Sequence, residues 1–318
     1  MTKTVLVTGG AGFIGSHLVD ALLERGDRVI CIDNFNDFYS PARKERYVAA
    51  HSSHPNYTLL RTDIRSREAI MDAFEEHHPS HVAHLAAMAN VRYSIERGAL
   101  YSEVNVQGTV NILDAARKVN AENVLIASTS AIYGKVGTTP FTEDMPVNKP
   151  LAPYPATKKA AELLAHSYHH LFDMNINAVR FFNVYGPRVR PDTIAWIVMQ
   201  AIIQNEPFTL YDHGEFYRDW TYIDDIIRGT LAALDTPLGY EIINLGRGEP
   251  IRLGDFVEEI ERIVGKPAPV IHMEAPASEV PITYASVEKA KRLLGYAPKV
   301  SVSDGLRPTW DWFNSLRE

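Results

Sequence analysis

The stretch Val5-Leu6-Val7-Thr8-Gly9-Gly10-Ala11-Gly12-Phe13-Ile14-Gly15 constrains this chain more than any other. A short apolar strand runs into three glycines spaced G-x-x-G-x-x-G, then into a helix with Ile14, Leu18, Ala21 and Leu22 on one face, ending near Gly26. In a strand–turn–helix of this kind Gly9 makes the tight turn. Gly12 lets the backbone approach a pyrophosphate, and Gly15 lets helix and strand pack closely, with helix N–H groups aimed at the phosphates. Three glycines alone can be only a turn. Here a second strand, Arg28-Val29-Ile30-Cys31-Ile32, ends at Asp33, about twenty residues on, where an acid grips a ribose 2′-hydroxyl. The order strand, glycines, helix, strand, acid predicts a dinucleotide site.

The 318 residues suffice for a large core and two lobes. A net charge of −7 argues against broad nucleic-acid binding, which needs a basic face. A single cysteine, Cys31, allows no internal disulfide and fits a reducing compartment. The chain enters a strand almost at once, without a signal-peptide apolar region, and no apolar run reaches membrane-spanning length. A soluble cytoplasmic protein, without nucleic-acid or membrane partners, is expected.

The first half alternates strand and helix, which predicts an α/β fold built on a doubly wound parallel (Rossmann) sheet. Strands are expected at 57–61, 81–85, 123–128 and 177–182, and helices at 100–119 and from Tyr154 to about Phe172, with proline (Pro155) in the first helical position. Asp63, just past the third strand, is read either as an adenine contact or as the N-cap of a helix beginning near Ser66. Small residues Ala86 and Ala87 after the fourth strand let the backbone pass close to a flat cofactor. Beyond residue 182 the rhythm changes. A loop over 183–192, a helix over 194–204, short strands around Phe208 and Phe216, a helix over 223–234, a strand over 241–245, a helix over 253–264, a Pro-rich stretch over 266–281 and two terminal helices predict a smaller mixed α/β lobe. The expected division is 1–182, with 222–246 returning to it, for the nucleotide domain, and 183–221 with 247–318 for the second lobe.

His77, His78, His81 and His84, and the pair His166 and His170, invite a metal reading. It is rejected: strand alternation puts His81 and His84 on opposite faces, and no glutamate sits inside the helical pair to make H-E-x-x-H. No metal is expected.

Tyr154 and Lys158 are four apart on one helix and so share a face. A phenol is a poor base near its ordinary pKa of about 10. A nearby ammonium, and the charge of an oxidised nicotinamide, favour phenolate and bring that value toward neutrality. Thr129, at the end of the neighbouring strand, offers a hydroxyl to the same substrate oxygen.

With these residues in view the chain resembles the extended short-chain dehydrogenase/reductases, in their nucleotide-sugar epimerase/dehydratase branch. The resemblance rests on Thr8 to Gly15, Ser128-Thr129-Ser130, Tyr154 to Lys158, Arg180-Phe181-Phe182-Asn183-Val184-Tyr185-Gly186-Pro187-Arg188 and Arg218-Asp219-Trp220-Thr221-Tyr222-Ile223-Asp224-Asp225, in the family's order along nearly the whole chain. It implies NAD in the N-terminal domain, touched by Gly9, Gly12, Phe13, Ile14, Asp33, Asn34, Asp63, Ile64, Leu85, Ala86, Ala87, Asn105, Tyr154 and Lys158, with Thr129, Tyr154 and Lys158 catalytic. It implies a UDP-sugar between the lobes, met by Arg92, Ser130, Asn183, Arg188, Arg190, Phe208, Arg218 and Glu279. A homodimer built on helices 100–119 and 155–172 is implied in the same way. Asp33 repels a 2′-phosphate and favours NAD over NADP, although Arg43 and Lys44 lie close in sequence.

Family members divide by the pair of residues after the catalytic threonine. Sugar 4,6-dehydratases carry an Asp-Glu pair there, and UDP-glucuronate decarboxylases a glutamate in the second place. Ser130 and Ala131 stand here, so elimination and decarboxylation lose their acid/base group, while C4 epimerisation through a transient 4-keto sugar needs only Thr129, Tyr154, Lys158 and the nicotinamide. Stretches around His169-His170, Arg188 to Asp192 and Val280 to Tyr284 resemble UDP-glucuronate 4-epimerases. Those enzymes hold the C6 carboxylate with small hydroxyls at the places of Ala131 and Asn183, and both are missing. Each missing charge-assisted bond is worth on the order of 1–3 kcal/mol. The expectation is therefore UDP-glucose/UDP-galactose as substrate, with UDP-glucuronate/UDP-galacturonate as the alternative. Arg218 and Arg188 are the expected phosphate cations. Glu279 is assigned to the uridine ribose, and Phe208 to the uracil or to an apolar core. Two other classes stay open: an NAD(H)-sensing regulator without turnover, and a net UDP-sugar reductase.

Overall fold

The computed structural model describes residues 2–135, 137–275 and 280–316, in two compact units. The first unit comprises residues 1–132, 147–180 and 227–243. Its frame is a seven-stranded parallel sheet of β1 (Thr4–Thr8), β2 (Arg28–Ile32), β3 (Tyr57–Leu60), β4 (His81–His84), β5 (Asn123–Thr129), β6 (Ile176–Phe181) and the strand Tyr240–Leu245. Their spatial order is Tyr240–Leu245, β6, β5, β4, β1, β2, β3. The strands are nearly continuous apolar runs because helices cover both faces of such a sheet. Leu6, Ile30, Val82, Val124 and Ile176 are buried together with Phe74 and Ile112 from the helices.

Register sets where the site falls. Thr8 pairs with Ile32 on one side and His84 on the other, so Gly9, Asp33 and Leu85 all come directly after strand ends at one edge of the sheet. Because His84 pairs with Ile126, β5 runs three residues further, to Thr129. Reversal of strand order beside β1 makes this edge the place where such sheets bind ligands.

Two local expectations are corrected. The helix predicted over 100–119 is broken into Gly98–Ser102, a π turn Glu103–Gln107 and Gly108–Lys118. The widened turn carries Asn105, a fully buried amide that bonds Met88 and Thr157 on two other segments. Such bulges recur where a side chain must reach out of the regular ladder. The proline in the first helical position is Pro153, not Pro155, in a helix spanning Pro153–Phe172. Pro155 is still in the first turn, where a missing N–H leaves no bond unmade.

The second unit comprises residues 133–146, 181–226 and 244–318. Its centre is the strand Tyr217–Tyr222, flanked by Pro250–Arg252 and Ile282–Thr283 and paired also with Asn183–Tyr185. That last strand lies in the predicted loop over 183–192. Another, Val270–Met273, lies in the predicted Pro-rich stretch and pairs with Phe208–Tyr211. The helices Ile194–Gln204 and Leu253–Val264 fall where their apolar periodicity puts them. Buried Asp219 fastens this unit: it accepts from the backbone N–H groups of Arg247, Gly248 and Ala285 at 2.6, 2.9 and 3.1 Å, and from the Thr221 hydroxyl at 2.9 Å.

Candidate active site

The turn after β1 divides its glycines into two kinds. Gly9 has φ +71°, and a Cβ there would lie 2.8 Å from the Ala86 nitrogen. A Cβ on Gly10 would meet the Cys31 sulfur at 2.5 Å, and one on Gly15 the Gly9 oxygen at 2.0 Å. These three are small because the fold's own backbone and core crowd them. Gly12 is different. A Cβ there would meet only the Gly9 oxygen at 3.1 Å and the Tyr39 hydroxyl at 3.9 Å. Gly12 caps the helix Phe13–Glu24, whose first turn holds no acid and no side-chain cap. The space beside Gly12 therefore suits a phosphate group brought against helix N–H donors.

Asp33, 7% exposed, accepts from Ala11 N–H at 3.2 Å on one oxygen and from Phe35 N–H at 2.8 Å on the other. Each oxygen keeps a lone pair for a ribose hydroxyl. Burial raises this carboxyl above the usual range, against the charge of Lys44 and the two N–H bonds. Lys44 Nζ lies 3.9 Å from Asp33, itself buried and bonded to the Asn36 carbonyl and amide oxygens. So Lys44, read as lying beyond the acid, is its buried counter-charge, whereas Arg43 reaches over the Tyr39 ring.

Asp63 is not the N-cap of the next helix: Ser66 holds that position. Its carboxylate binds Arg65 through backbone and guanidinium and also takes the Asn34 amide at 2.9 Å, so the Arg65 bonds hold it well below the usual carboxylate range, at about 2. Asn34 and Asp63 thus stand together as expected for neighbours at one edge. Ile64 is buried against Gly108. The Asn105 side chain, expected at the cofactor, is spent on the Met88 backbone and the Thr157 hydroxyl, and Thr157 in turn donates to the Tyr154 carbonyl. It holds the loop after β4 to the Tyr154 helix. Leu85, Ala86 and Ala87 form the start of that loop, where the Leu85 and Ala86 N–H groups bond Thr8.

A buried relay underlies this edge, and the sequence reading missed it. Thr109 donates to the Asn105 carbonyl at 2.6 Å, so its oxygen is an acceptor for His84 Nε2, 3.1 Å away. That fixes the Nε2–H tautomer, and Nδ1 accepts the Thr8 hydroxyl at 2.7 Å. Burial and the Lys158 charge push His84 down to about 3, so the ring is neutral.

Thr129, Tyr154 and Lys158 all belong to the first unit. Thr129 closes β5, buried, its hydroxyl oxygen accepting Ala131 N–H at 3.2 Å. Tyr154 opens its helix half-buried, edge-on to Tyr101 at 6.1 Å. Lys158, one turn on, is 2% exposed. Burial lowers its ammonium to about 8 while the charge of Glu162 opposes the fall. Still an ammonium at neutral pH, and one turn from a phenol, it is equipped to favour phenolate. Ser130 begins a short 3-10 turn beyond Thr129, and Arg92 is exposed on the short helix Val91–Ser94.

Of the residues expected on the sugar nucleotide, five lie in the second unit and are described. Asn183 heads a strand, half-buried. Arg188 sits in the left-handed region at φ +65°. Arg190 is forked onto Asp192 at 2.9 and 3.0 Å. Phe208 is 7% exposed, in the apolar core of its unit. Arg218 donates to the Tyr217 carbonyl at 2.9 Å and lies over the Phe216 ring at 5.2 Å. Glu279 lies outside the described residues. Among the described residues, no helix is long and apolar enough to cross a membrane.

A glycine-lined turn ahead of a helix, an acid ending β2 and a Thr/Tyr/Lys set at the same sheet define the extended short-chain dehydrogenase/reductase class. Within it, the chain belongs to the family described as GDP-mannose 4,6 dehydratase, matched over residues 6–309. It is 42% identical over 308 residues, 96% of this chain and 95% of the other, to a UDP-glucuronate 4-epimerase of Thermodesulfobacterium geofontis. A UDP-glucuronic acid 4-epimerase of Bacillus cereus, solved with UDP-glucuronic acid and NAD, superposes with TM-score 0.92 at 35% identity, covering 98% of this chain and 99% of that one. A UDP-glucose 4-epimerase of Thermotoga maritima, solved with UDP-glucose, superposes with TM-score 0.90 at 29% identity, covering 99% and 100%.

Proposed function

We propose that this chain is an NAD-dependent UDP-sugar 4-epimerase, an isomerase, and that UDP-glucuronate and UDP-galacturonate are the pair it interconverts. The reading is carried by the whole-length likeness to UDP-glucuronate 4-epimerases, at 42% identity to one and 35% to a solved one, beside 29% and 32% to two solved UDP-glucose 4-epimerases. This replaces the neutral hexose favoured from sequence. That preference weighed two absent hydroxyls, at Ala131 and Asn183, as though a carboxylate had no other way to be held. Backbone N–H groups and water also bind carboxylates, and neither is legible in a side-chain list.

Bound NAD would supply a reversible hydride acceptor for C4 and be restored in each cycle, so that no outside oxidant is needed. The chain's own part is proton movement and orientation. Tyr154, as phenolate, takes the O4 proton and returns it after the 4-keto sugar has turned its other face. Lys158, as ammonium, stabilises the phenolate, and Thr129 hydrogen-bonds O4 to hold it at the phenol. Ser130 and Ala131 leave no carboxylate beside Thr129 to carry the proton for elimination or decarboxylation.

The test is incubation of the purified protein, without added NAD, with UDP-glucuronate and separately with UDP-glucose, then separation of the C4 epimers. Faster conversion of UDP-glucuronate is expected. Conversion of UDP-glucose alone would return the preference to the neutral hexose, and conversion of neither would refute the epimerase reading.

A further inference from the structure

The helix that presents Tyr154 and Lys158 carries a buried acid that the proposed chemistry does not use. Glu162, one turn beyond Lys158, is completely buried, yet its carboxylate has four donors. Ser128 on β5 donates at 2.7 Å, and Arg180 on β6 forks onto both oxygens at 2.9 Å each. Lys159 reaches it at 3.1 Å. Tyr240, on the neighbouring edge strand, donates to the Glu162 backbone carbonyl at 2.8 Å. Arg180 is itself the largest completely buried side chain described in the protein. Ser128 is the residue before Thr129. A single carboxylate therefore fastens the helix bearing two members of the catalytic set to the strand bearing the third.

We infer that Glu162 is a positioning residue for Thr129, Tyr154 and Lys158: it locks the helix to the end of β5, and its negative charge holds the Lys158 side chain as an ammonium. The charges around Lys158 make it the natural source of that support. Tyr154 and Glu162 face it from its own helix, and His84 from β4 is neutral. Around Glu162 stand Lys158 and Lys159 on the helix, Arg180 on β6 and Tyr240 on the edge strand. Burial would raise the Glu162 carboxyl, but Arg180, Ser128 and Lys159 bring it below the usual range, so the anion persists. Buried ion pairs add little to stability over an apolar replacement, so a role in site geometry and charge is the better reason for one here.

The inference rests on the epimerase reading, and its test separates the two. Glu162→Gln keeps the shape and an acceptor for Ser128 while removing the charge. Its NAD content should match that of the parent. Its kcat at pH 9, above the Lys158 value of about 8, should fall about tenfold, the value of one pKa unit lost by Lys158, with KM changed less than about threefold. The alkaline limb of kcat should move to lower pH. Because Glu162→Gln takes the counter-charge from buried Arg180, Glu162→Gln/Arg180→Met, which removes both buried charges, stands in if the single variant does not fold. In the folded variant, NMR of lysine labelled with nitrogen-15 should show Lys158 losing its proton at lower pH than in the parent. A folded variant with the parent's kcat, alkaline limb and Lys158 titration overturns the inference. If the parent itself turns over neither sugar nucleotide, the functional reading fails, and the lysine titration still decides the role of Glu162.

Discussion

Replacing the glycines of the first turn one at a time separates those the fold requires from the one a ligand requires. In Gly15→Ala the new methyl would lie 2.0 Å from the Gly9 oxygen, 2.8 Å from the Gly9 carbon and 2.9 Å from the Gly10 Cα. All three are backbone atoms, so the helix must shift bodily against the turn, an overpacking cost of about 3 kcal/mol. At roughly 2.1 cal/mol/K per residue, that lowers Tm by about 4 °C in a cooperative transition of the whole chain. Gly12→Ala has no such conflict. Its φ of −81° and ψ of −176° are extended backbone that alanine adopts, and one contact at 3.1 Å must give by a few tenths of an ångström. Against that small cost, alanine restricts the unfolded chain by about 0.4–1 kcal/mol. The stability of apo Gly12→Ala should therefore lie within about 1 kcal/mol of the parent, while the methyl occupies the approach to the pyrophosphate. A steric cost of about 1.4–2.8 kcal/mol there is a 10- to 100-fold loss of NAD affinity. The assays are thermal unfolding of NAD-free protein and calorimetric titration with NAD, together with the NAD released on denaturing each variant as purified. If Gly12→Ala bound NAD like the parent, or were destabilised as much as Gly15→Ala, the division of the glycines would be wrong.

Three further outcomes concern the same edge of the sheet. Tyr154→Phe should lower turnover by orders of magnitude with NAD still bound, and undiminished activity would remove the phenol from the mechanism. Asp33→Asn, beside Lys44, should weaken NAD about tenfold and lose most of the discrimination against NADP, since the repelling charge is gone and a cation remains; an unchanged NAD/NADP ratio of affinities would refute the ribose role. His84, pushed down to about 3 from a reference of 6.5, binds its proton in the unfolded chain first. Its contribution to stability is therefore full above about pH 6.5 and is lost as pH falls toward about 3. Denaturant unfolding of the parent between pH 6 and pH 4 should be steeper with pH than that of His84→Gln by up to about 1.4 kcal/mol per unit, and equal slopes would show His84 already charged in the fold.

Much of the first unit was legible because period and punctuation are local. Arg28 to Ile32 reads as a strand from its unbroken apolar run, and Leu253–Val264 as a helix from spacing alone. Gly9, Asp33, Thr129, Tyr154 and Lys158 could be placed from sequence because each sits where a strand ends or a helix begins, a position that sequence order reveals. The misreadings concern pairing at a distance. Of the two readings of Asp63, the helix cap falls because Ser66 holds that place, and its bonds to Arg65 and Asn34 were not legible locally. That the Asn105 amide bonds Met88 and Thr157, on two other segments, no local pattern could show. The strand Asn183–Tyr185 is too short for alternation to show and exists by pairing with Tyr217–Tyr222. Only Glu162 left a trace that could have been pursued: it falls one turn after Lys158, on the same buried face as Ala161 and Ala165.

Three basic side chains are buried in the first unit, two of them beside Glu162 and the third under the charge of Lys158, and each meets the cost of burial in a different way. Arg180 cannot lose its proton, and it is fully paired with a carboxylate. His84 gives up its charge and becomes a directed donor and acceptor between Thr8 and Thr109. Lys158 does neither completely: burial brings it down to about 8, and Glu162, already committed to Arg180, supports it from one turn away. A fold that needed only stability would have paired or neutralised all three. Lys158 stays an ammonium at neutral pH, one turn from a phenol whose anion it favours, because the charge of Glu162 offsets part of the cost of its burial.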